Sequence, residues 1–323
     1  MAVESESFTE LTDEFALVAE TAAEAGLAAD AVPRVRRGWV NVPAGGHVSG
    51  VFWGEGPPEL VFLHDIGSSA RRWDAVALAA GRPAVAIDLP GHGRSDWRRD
   101  GRYEPAKLVP AVAEAIRSFA PRAALVVAVG LGADTALALR RRHAPLVPGL
   151  ALVGTLPGTL SGRAGPQPGP ERFASRADAL DALAVRRPDS SGLALRREVL
   201  YELLQEPDGS WTWRHHWGNQ PRAPGAGDAG GPADEALWDE LGRLGPAAAV
   251  IRGDQVGALT AADLGRLGER APGAAVVAVP GGGADIAAQP AALAAALVRL
   301  LTRPPAAEPQ AGRLVTTKPE GQQ

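Results

Sequence analysis

The 323-residue chain contains no cysteine, which excludes disulfides, a thiolate nucleophile and a cysteine metal site and leaves the redox compartment open. Aromatic residues amount to only 5%. No stretch approaches the roughly 18 apolar residues that a membrane span requires. The beginning, MAVESESFTELTDE, is acidic and lacks the apolar run after a basic start that marks a secretory signal, so a cytoplasmic setting is expected. A net charge of −4 gives no general attraction to nucleic acid or to anionic membranes, and neither is expected as a partner.

What is present is ordinary for a soluble globular protein, with 46% hydrophobic and 22% charged residues. The length admits one large α/β domain with an inserted subdomain, or two small domains, and composition does not choose between them. Periodicity says more. Leu11, Phe15, Val18 and Ala22, spaced by three and four, predict an amphipathic helix over 8–29, within an N-terminal extension set at 1–34. GWVNV at 38–42 and SGVFW at 49–53 flank Gly45, Gly46 and His47 and predict an antiparallel hairpin.

From there, short apolar runs at 60–63, 83–87, 123–129 and 148–153 alternate with helical patterns at about 70–80, 105–119 and 132–143. Strands alternating with helices imply parallel strands joined by right-handed crossovers, hence a doubly wound, mostly parallel sheet. The rhythm stops after Pro157 and resumes with AAAVIR at 247–252, a helix near 260–270, AAVVAVP at 274–280 and a helix over about 288–302. These limits assign a core to 35–158 and 246–302, an inserted helical cap to 159–245, and a disordered, Pro-rich tail to 303–323.

Four stretches carry the chemistry: VFLHD at 61–65, AIDLPGHGRSDW at 86–97, LVVAVGLGADTAL at 125–137 and AVPGGGADI at 278–286. Together they resemble the landmarks of the α/β-hydrolase superfamily, and of an actinobacterial group within it that reads approximately GMSLGG, LVLVDVTPG and VPGAGHSVQ. The likeness extends over about 35–302, including GEGPPELVFLHDIG and DGSWTWRHH. It implies a nucleophile in a tight turn between a strand and a helix, flanked two positions away by small residues, here Ala128 and Gly132.

In that register the family's serine falls on Gly130, its aspartate on Gly154 and its histidine on Ala284. Glycine tolerates the strained turn without the penalty of about 1 to 3 kcal/mol that other residues incur, but it cannot attack a carbonyl. The glycine that normally follows the strand-end histidine is Asp65, whose carboxylate would oppose a developing oxyanion about 4 Å away by something like 4 kcal/mol unless it rotated outward. An acid placed three residues beyond the end of the seventh strand, as in other members, falls on Val256, with Asp254 out of register.

Pocket candidates on this reading are His64, Asp65, Ser68, Val129, Leu131, Trp211, Trp213 and Asp285. His64 and His92 are assigned to loop packing, and Asp88 and Asp96 to backbone amides of their own loop. Asp134 sits in the first turn of a helix, where the dipole favours a carboxylate. His215 and His216, adjacent on a strand, point to opposite faces and cannot share one metal ion. Ser68 and Ser69 could replace the lost hydroxyl only with a base in reach. Trp211 and Trp213 share a strand face and either cover the pocket or pack the cap.

The emptied triad makes a pseudohydrolase the first expectation: an α/β-hydrolase scaffold without cofactor or metal that binds a small apolar ligand or a protein. The alternative is an enzyme of altered chemistry, either lyase-like or an esterase using non-triad residues such as Asp65, His64 and Asp285.

Overall fold

The computed structural model describes residues 13–43, 45–158, 171–186, 190–216, 232–254, 259–280 and 289–302. The eight strands of its main sheet are β1 (Val35–Asn41), β2 (His47–Trp53), β3 (Leu60–Leu63), β4 (Ala84–Ile87), β5 (Leu125–Ala128), β6 (Leu150–Val153), β10 (Ala248–Gly253) and β11 (Ala275–Val279). Their order is β1-β2-β4-β3-β5-β6-β10-β11. β1 and β2 run antiparallel, β2 meets β4 antiparallel, and the other five pairings are parallel. The interior strands β3, β4, β5, β6 and β10 fall on apolar runs, because a strand covered on both faces reads as continuous hydrophobic sequence, whereas the edge strand β1 is polar and only half-buried.

Helices cover both faces. On one lie α3 (Pro105–Phe119), α4 (Leu131–Arg142) and α7 (Pro232–Leu244), with Leu108, Val112, Ile116, Leu137, Leu237 and Leu241 in a common core with Val61, Leu63, Val85 and Val126. On the other lie α1 (Val18–Glu24), α2 (Asp74–Ala80) and α9 (Pro290–Leu301), whose Ala22, Val76 and Leu293 meet Phe62, Trp73, Ala86 and Val127. α8 (Ala261–Arg270) connects β10 to β11 and begins with a capping box between Thr260 and Asp263. No helix among the described residues is long and apolar enough to cross a membrane.

Between β6 and α7 the chain leaves the main sheet. It builds β7 (Arg172–Phe173), α5 (Arg176–Arg186), α6 (Gly192–Glu202), β8 (Leu203–Gln205) and β9 (Trp211–Trp213), with a three-stranded antiparallel sheet ordered β7-β9-β8. The helical cap expected there thus carries a small sheet as well, in which the strand expected at Trp211 and Trp213 is the central one. DGS at 208–210 forms a tight turn, and the aromatic alternation in WTW gives strand rather than helix. This segment has its own core, made of Ala179, Leu183, Leu195, Val199 and Leu203 and joined by Leu17 from the N-terminal region.

Two further expectations shift. Residues 8–12 of the first helical pattern lie outside the described residues, and α1 begins only at Val18, after a turn at 14–17. α7, placed before the boundary at 246 by sequence, packs against α4 with Leu237, Trp238, Leu241 and Leu244 in the main core. The tail at 303–323 lies outside the described residues.

Candidate active site

Register brings the chemistry to one edge. Leu63 of β3 pairs with Ile87 of β4 and Ala128 of β5, so the chain leaves all three strands at the same level. β3 lies between β4 and β5, and the chain goes to one side of it and then to the other. The loops carrying His64–Asp65 and Val129–Gly130 therefore flank the point where strand order reverses, which is where open α/β sheets bind ligands.

Gly130 occupies the junction of β5 and α4 with φ 51° and ψ −118°, a backbone that L side chains adopt only under strain. The turn is pinned from both ends: Asp134 N–H donates to Gly130 O at 3.1 Å, and Gly132 N–H donates to His64 O at 3.0 Å. The first turn of α4 lies so close to the end of β3 that a Cβ on Gly132 would come within 2.7 Å of the main-chain oxygens of Leu63 and His64. A side chain on Gly130 would meet a different obstacle. Its Cβ would fall inside the van der Waals shell of Asp65 Oδ1, Cγ and Oδ2.

Asp65 reaches that position from the neighbouring strand end. Its Oδ1 accepts the N–H of Ile66 at 2.7 Å and that of Leu131 at 2.9 Å. One amide follows the turn's apex and the other belongs to the loop after β3, the two positions that form an oxyanion hole in α/β-hydrolases. Outward rotation of the carboxylate, considered from sequence, is not what the structure adopts. Asp65 points inward because two convergent N–H dipoles favour an anionic oxygen, and it remains half-buried.

His64 takes no part in proton transfer here. Leu89 N–H donates to its Nε2 at 2.9 Å, which leaves the proton on Nδ1, and that donates to Asp65 O at 2.7 Å. Complete burial pushes its pKa below the usual value, so the ring is a neutral tie between two loops. This corrects the acid–base role assigned to His64 in the altered-chemistry alternative. His92 is also fully buried, with its pKa pushed well down by burial and then by His64 and His215, and its Nδ1 lies 3.2 Å from Pro90 O.

Asp88, at the end of β4, accepts Arg94 N–H at 3.0 Å within its own loop. It also accepts Ala70 N–H, Ser49 Oγ and Arg37 Nη1 at 2.7, 2.5 and 2.6 Å. Asp96 departs from expectation by bonding β2, where it accepts His47 N–H at 2.7 Å. Asp134 makes no capping bond to its helix among the described residues. Its carboxylate turns toward Gly158 N–H, 3.4 Å away, and burial followed by the charges of Asp234 and Asp65 pushes its pKa up to about 7.

Ser69 does have a carboxylate in reach: its hydroxyl donates to Glu202 Oε1 at the end of α6, and both residues are buried. Burial raises Glu202 to about 8, against the lowering effect of the Ser69 bond. No sequence signal joins residues 133 positions apart, and Glu202 and Asp234 are the neighbours that sequence reading missed. Ser68 is half-buried. Val129 is half-buried, with its N–H on Leu63 O at 3.3 Å, and Leu131 is buried.

Trp211 and Trp213 lie on one face of β9 and pack on the core of their own segment. Trp213 donates to Glu171 Oε2 at 2.9 Å, and Arg176 lies over the Trp211 ring at 4.3 Å. His216 stacks on Trp97 at 4.3 Å between centroids and shares a 2.6 Å hydrogen bond with Tyr103 Oη. His215 lies beside Gly67 and is lowered to about 4 by burial and then by His64. Among the described residues no group of three His, Cys, Asp or Glu side chains could hold a metal ion.

Gly154 follows β6 with φ 61° and donates its N–H to Ile251 O at 2.8 Å, at the same edge as Gly130. Asp254 follows β10 and donates its N–H to Val279 O at 2.9 Å. Val256, Ala284 and Asp285 lie outside the described residues.

Residues 60–296 match the model of the alpha/beta hydrolase family. The chain is 35% identical over 269 residues to Esterase Rv0045c of Mycobacterium tuberculosis, covering 80% of this chain and 85% of that protein. A crystal structure of that esterase superposes with a TM-score of 0.75 and 34% identity, covering 90% of this chain and 98% of the other. A pimeloyl-[acyl-carrier protein] methyl ester esterase of Sodalis glossinidius is 35% identical over 112 residues, 33% of this chain and 41% of that protein.

These relatives overturn the expectation of a pseudohydrolase. A likeness to an esterase over four fifths of the chain points to a hydrolase rather than to a silent binder. That expectation rested on the residues at Gly130, Gly154, Ala284 and Asp65, but the space a side chain on Gly130 would need holds the Asp65 carboxylate, supplied by the end of the adjacent strand.

Proposed function

Because the chain belongs to the alpha/beta hydrolase family, we propose that it is an ester-cleaving enzyme whose reacting group is the Asp65 carboxylate rather than a serine hydroxyl. The observation that carries this reading is the seating of Asp65 Oδ1 on the amides of Ile66 and Leu131, in the space beside the apex that a nucleophile's side chain would fill. A carboxylate there faces any acyl group bound at the reversal of strand order. In this reading the positions of the family's serine, aspartate and histidine are held by Gly130, Gly154 and Ala284 and do no chemistry.

The segment between β6 and α7 acts as the cap. Support comes from its contacts across the edge: Glu202 with Ser69, His216 N–H on Gly91 O at 2.7 Å, and Trp97 Nε1 on Arg214 O at 3.1 Å. Ser69 is sealed beneath it and is not offered to substrate.

Initial rates on a panel of butyrate esters test the function, using the native protein, Asp65→Asn and a heat-killed control. Asp65→Asn is expected to lower kcat at least about a hundredfold, the low end for a positioned acid–base or nucleophilic group, while circular dichroism and melting temperature stay close to native. A serine-directed fluorophosphonate is expected to leave the native activity intact. Stoichiometric inactivation by that reagent, or full activity in Asp65→Asn, would sink the reading.

A further inference from the structure

If Asp65 reacts, the two amides that hold it cannot also hold the substrate's carbonyl oxygen. Both N–H groups of the hole converge on Asp65 Oδ1, at 2.7 and 2.9 Å. Those distances match what an oxyanion hole requires of its donors, 2.7 to 3.1 Å from the oxygen that will carry the charge. The oxygen so placed belongs to the protein.

We propose that Asp65 is a covalent nucleophile, and that the Ile66 and Leu131 amides stabilise the tetrahedral intermediate formed on Asp65's own carboxyl carbon. The proposal rests on Asp65 being the reacting group. In the first step Asp65 Oδ2 bonds to the acyl carbon and the bond to the leaving group breaks. The result is a mixed anhydride and a departing thiolate or phenolate, which takes up a proton from solvent. In the second step water attacks Asp65 Cγ, its proton passes to solvent, and the charge gathers on Oδ1 between the two amides. The Cγ–Oδ2 bond then breaks, and the acid product leaves carrying Asp65's original Oδ2. No oxidant, reductant or metal is required.

This geometry selects the substrate class. A carboxylate of reference pKa about 3.9 displaces a thiol of about 8.5 or a phenol of about 10 with a gap of roughly 5 to 6 units. An alkanol, near water's value of about 16, raises the gap to roughly 12 units. The first transition state gains nothing from the occupied hole, so the leaving group itself must be good. The substrate is therefore an acyl group on a thiol or phenol, not a simple alkyl ester.

Oxygen isotopes distinguish the routes. Native protein in excess over phenyl butyrate is allowed one turnover in H2(18)O and digested, and the tryptic peptide 38–71, which contains Asp65, is weighed beside a substrate-free control. One heavy oxygen in that peptide, fragment-mapped to Asp65, with unlabelled butyrate is the expected result. Ethyl butyrate is expected to turn over at least about a hundredfold more slowly than phenyl butyrate. Heavy oxygen in butyrate with none on Asp65 would overturn the covalent route. If Asp65→Asn were inactive at the same time, Asp65 would remain the reacting group, as a general base on water. Undiminished turnover by Asp65→Asn, or no cleavage of phenyl butyrate by native protein, would end both proposals.

Discussion

Two carboxylates leave adjacent strands at the same level and have opposite surroundings. Asp88, after β4, is fully buried against the Arg37 guanidinium, the Ser49 hydroxyl and the amides of Ala70 and Arg94. Arg37 goes on to Glu14 at 2.9 Å, so Asp88 ties the N-terminal region, the sheet and its loop together. Burial pushes its pKa up, but Arg37, the Ser49 hydroxyl, His64 and the Ala70 amide together bring it below the usual value. Asp65, after β3, stands half-buried with Oδ1 on two amides at the reversal of strand order. A carboxylate enclosed by donors on all sides is a strut. One seated half-buried on two convergent amides at the reversal of strand order has the placement that the proposed reaction needs.

Exchanging the two roles gives the largest expected effect. Asp88→Ala takes from the buried Arg37 guanidinium one of its two carboxylate partners and from the buried Ala70 amide its acceptor, and should cost about 3–5 kcal/mol of stability in urea or thermal unfolding. Asp65→Asn keeps an oxygen for the two amides and should cost under about 1 kcal/mol while removing turnover. If Asp65→Asn proved the more destabilising variant, the contrast would collapse and Asp65 would be a strut as well.

A second test asks whether Asp65 and Gly130 compete for one space. Gly130→Ser forces a side chain onto the positive-φ apex and into Asp65, and should destabilise by about 1–3 kcal/mol. Asp65→Gly/Gly130→Ser removes the clash and should recover much of that loss, with a coupling of about 0.5–3 kcal/mol in a double-mutant cycle. Additive effects would mean that Asp65 leaves the apex at no cost and does not define the site.

The contrast also explains what was legible in the sequence. Strands β3 to β6 and helices α3 and α4 follow apolar periodicity, and Gly130 at the apex follows from the small residues around it. Of the three-stranded sheet only the strand carrying Trp211 and Trp213 was legible, because its partners β7 and β8, two and three residues long, show no alternation to read. The direction of Asp65 was not legible either. Like-charge repulsion predicts that a carboxylate avoids an oxyanion site, but in the absence of substrate that site is a pair of N–H donors and attracts it. Glu202 was hidden for a third reason: its partner is set by the folding of α6 onto the loop after β3, which no local pattern encodes.

Glu202 provides the smallest and most selective test. It is as buried as Asp88 but has the Ser69 hydroxyl on Oε1, with Arg214 as a lesser influence, and Asp88 and Glu198 act against its charge. With its folded pKa raised from 4.5 to about 8, the native state binds a proton that the unfolded state has released between those values. Stability from this group therefore falls as pH rises through that window, by up to about 1.4 kcal/mol per pH unit. Below about 6.5 the trend is opposed by His92, His215 and His216, whose lowered pKa values make stability rise with pH. Asp134, raised to about 7, adds a loss of its own up to that pH. The difference between native and Glu202→Gln isolates one group. From pH 6.5 to 8 the native melting temperature should fall more steeply than that of the variant, which still accepts from Ser69. Parallel curves would place Glu202 among the ionised struts with Asp88, and would show that a buried carboxylate in this fold stays charged without either a guanidinium bonded to it or several donors.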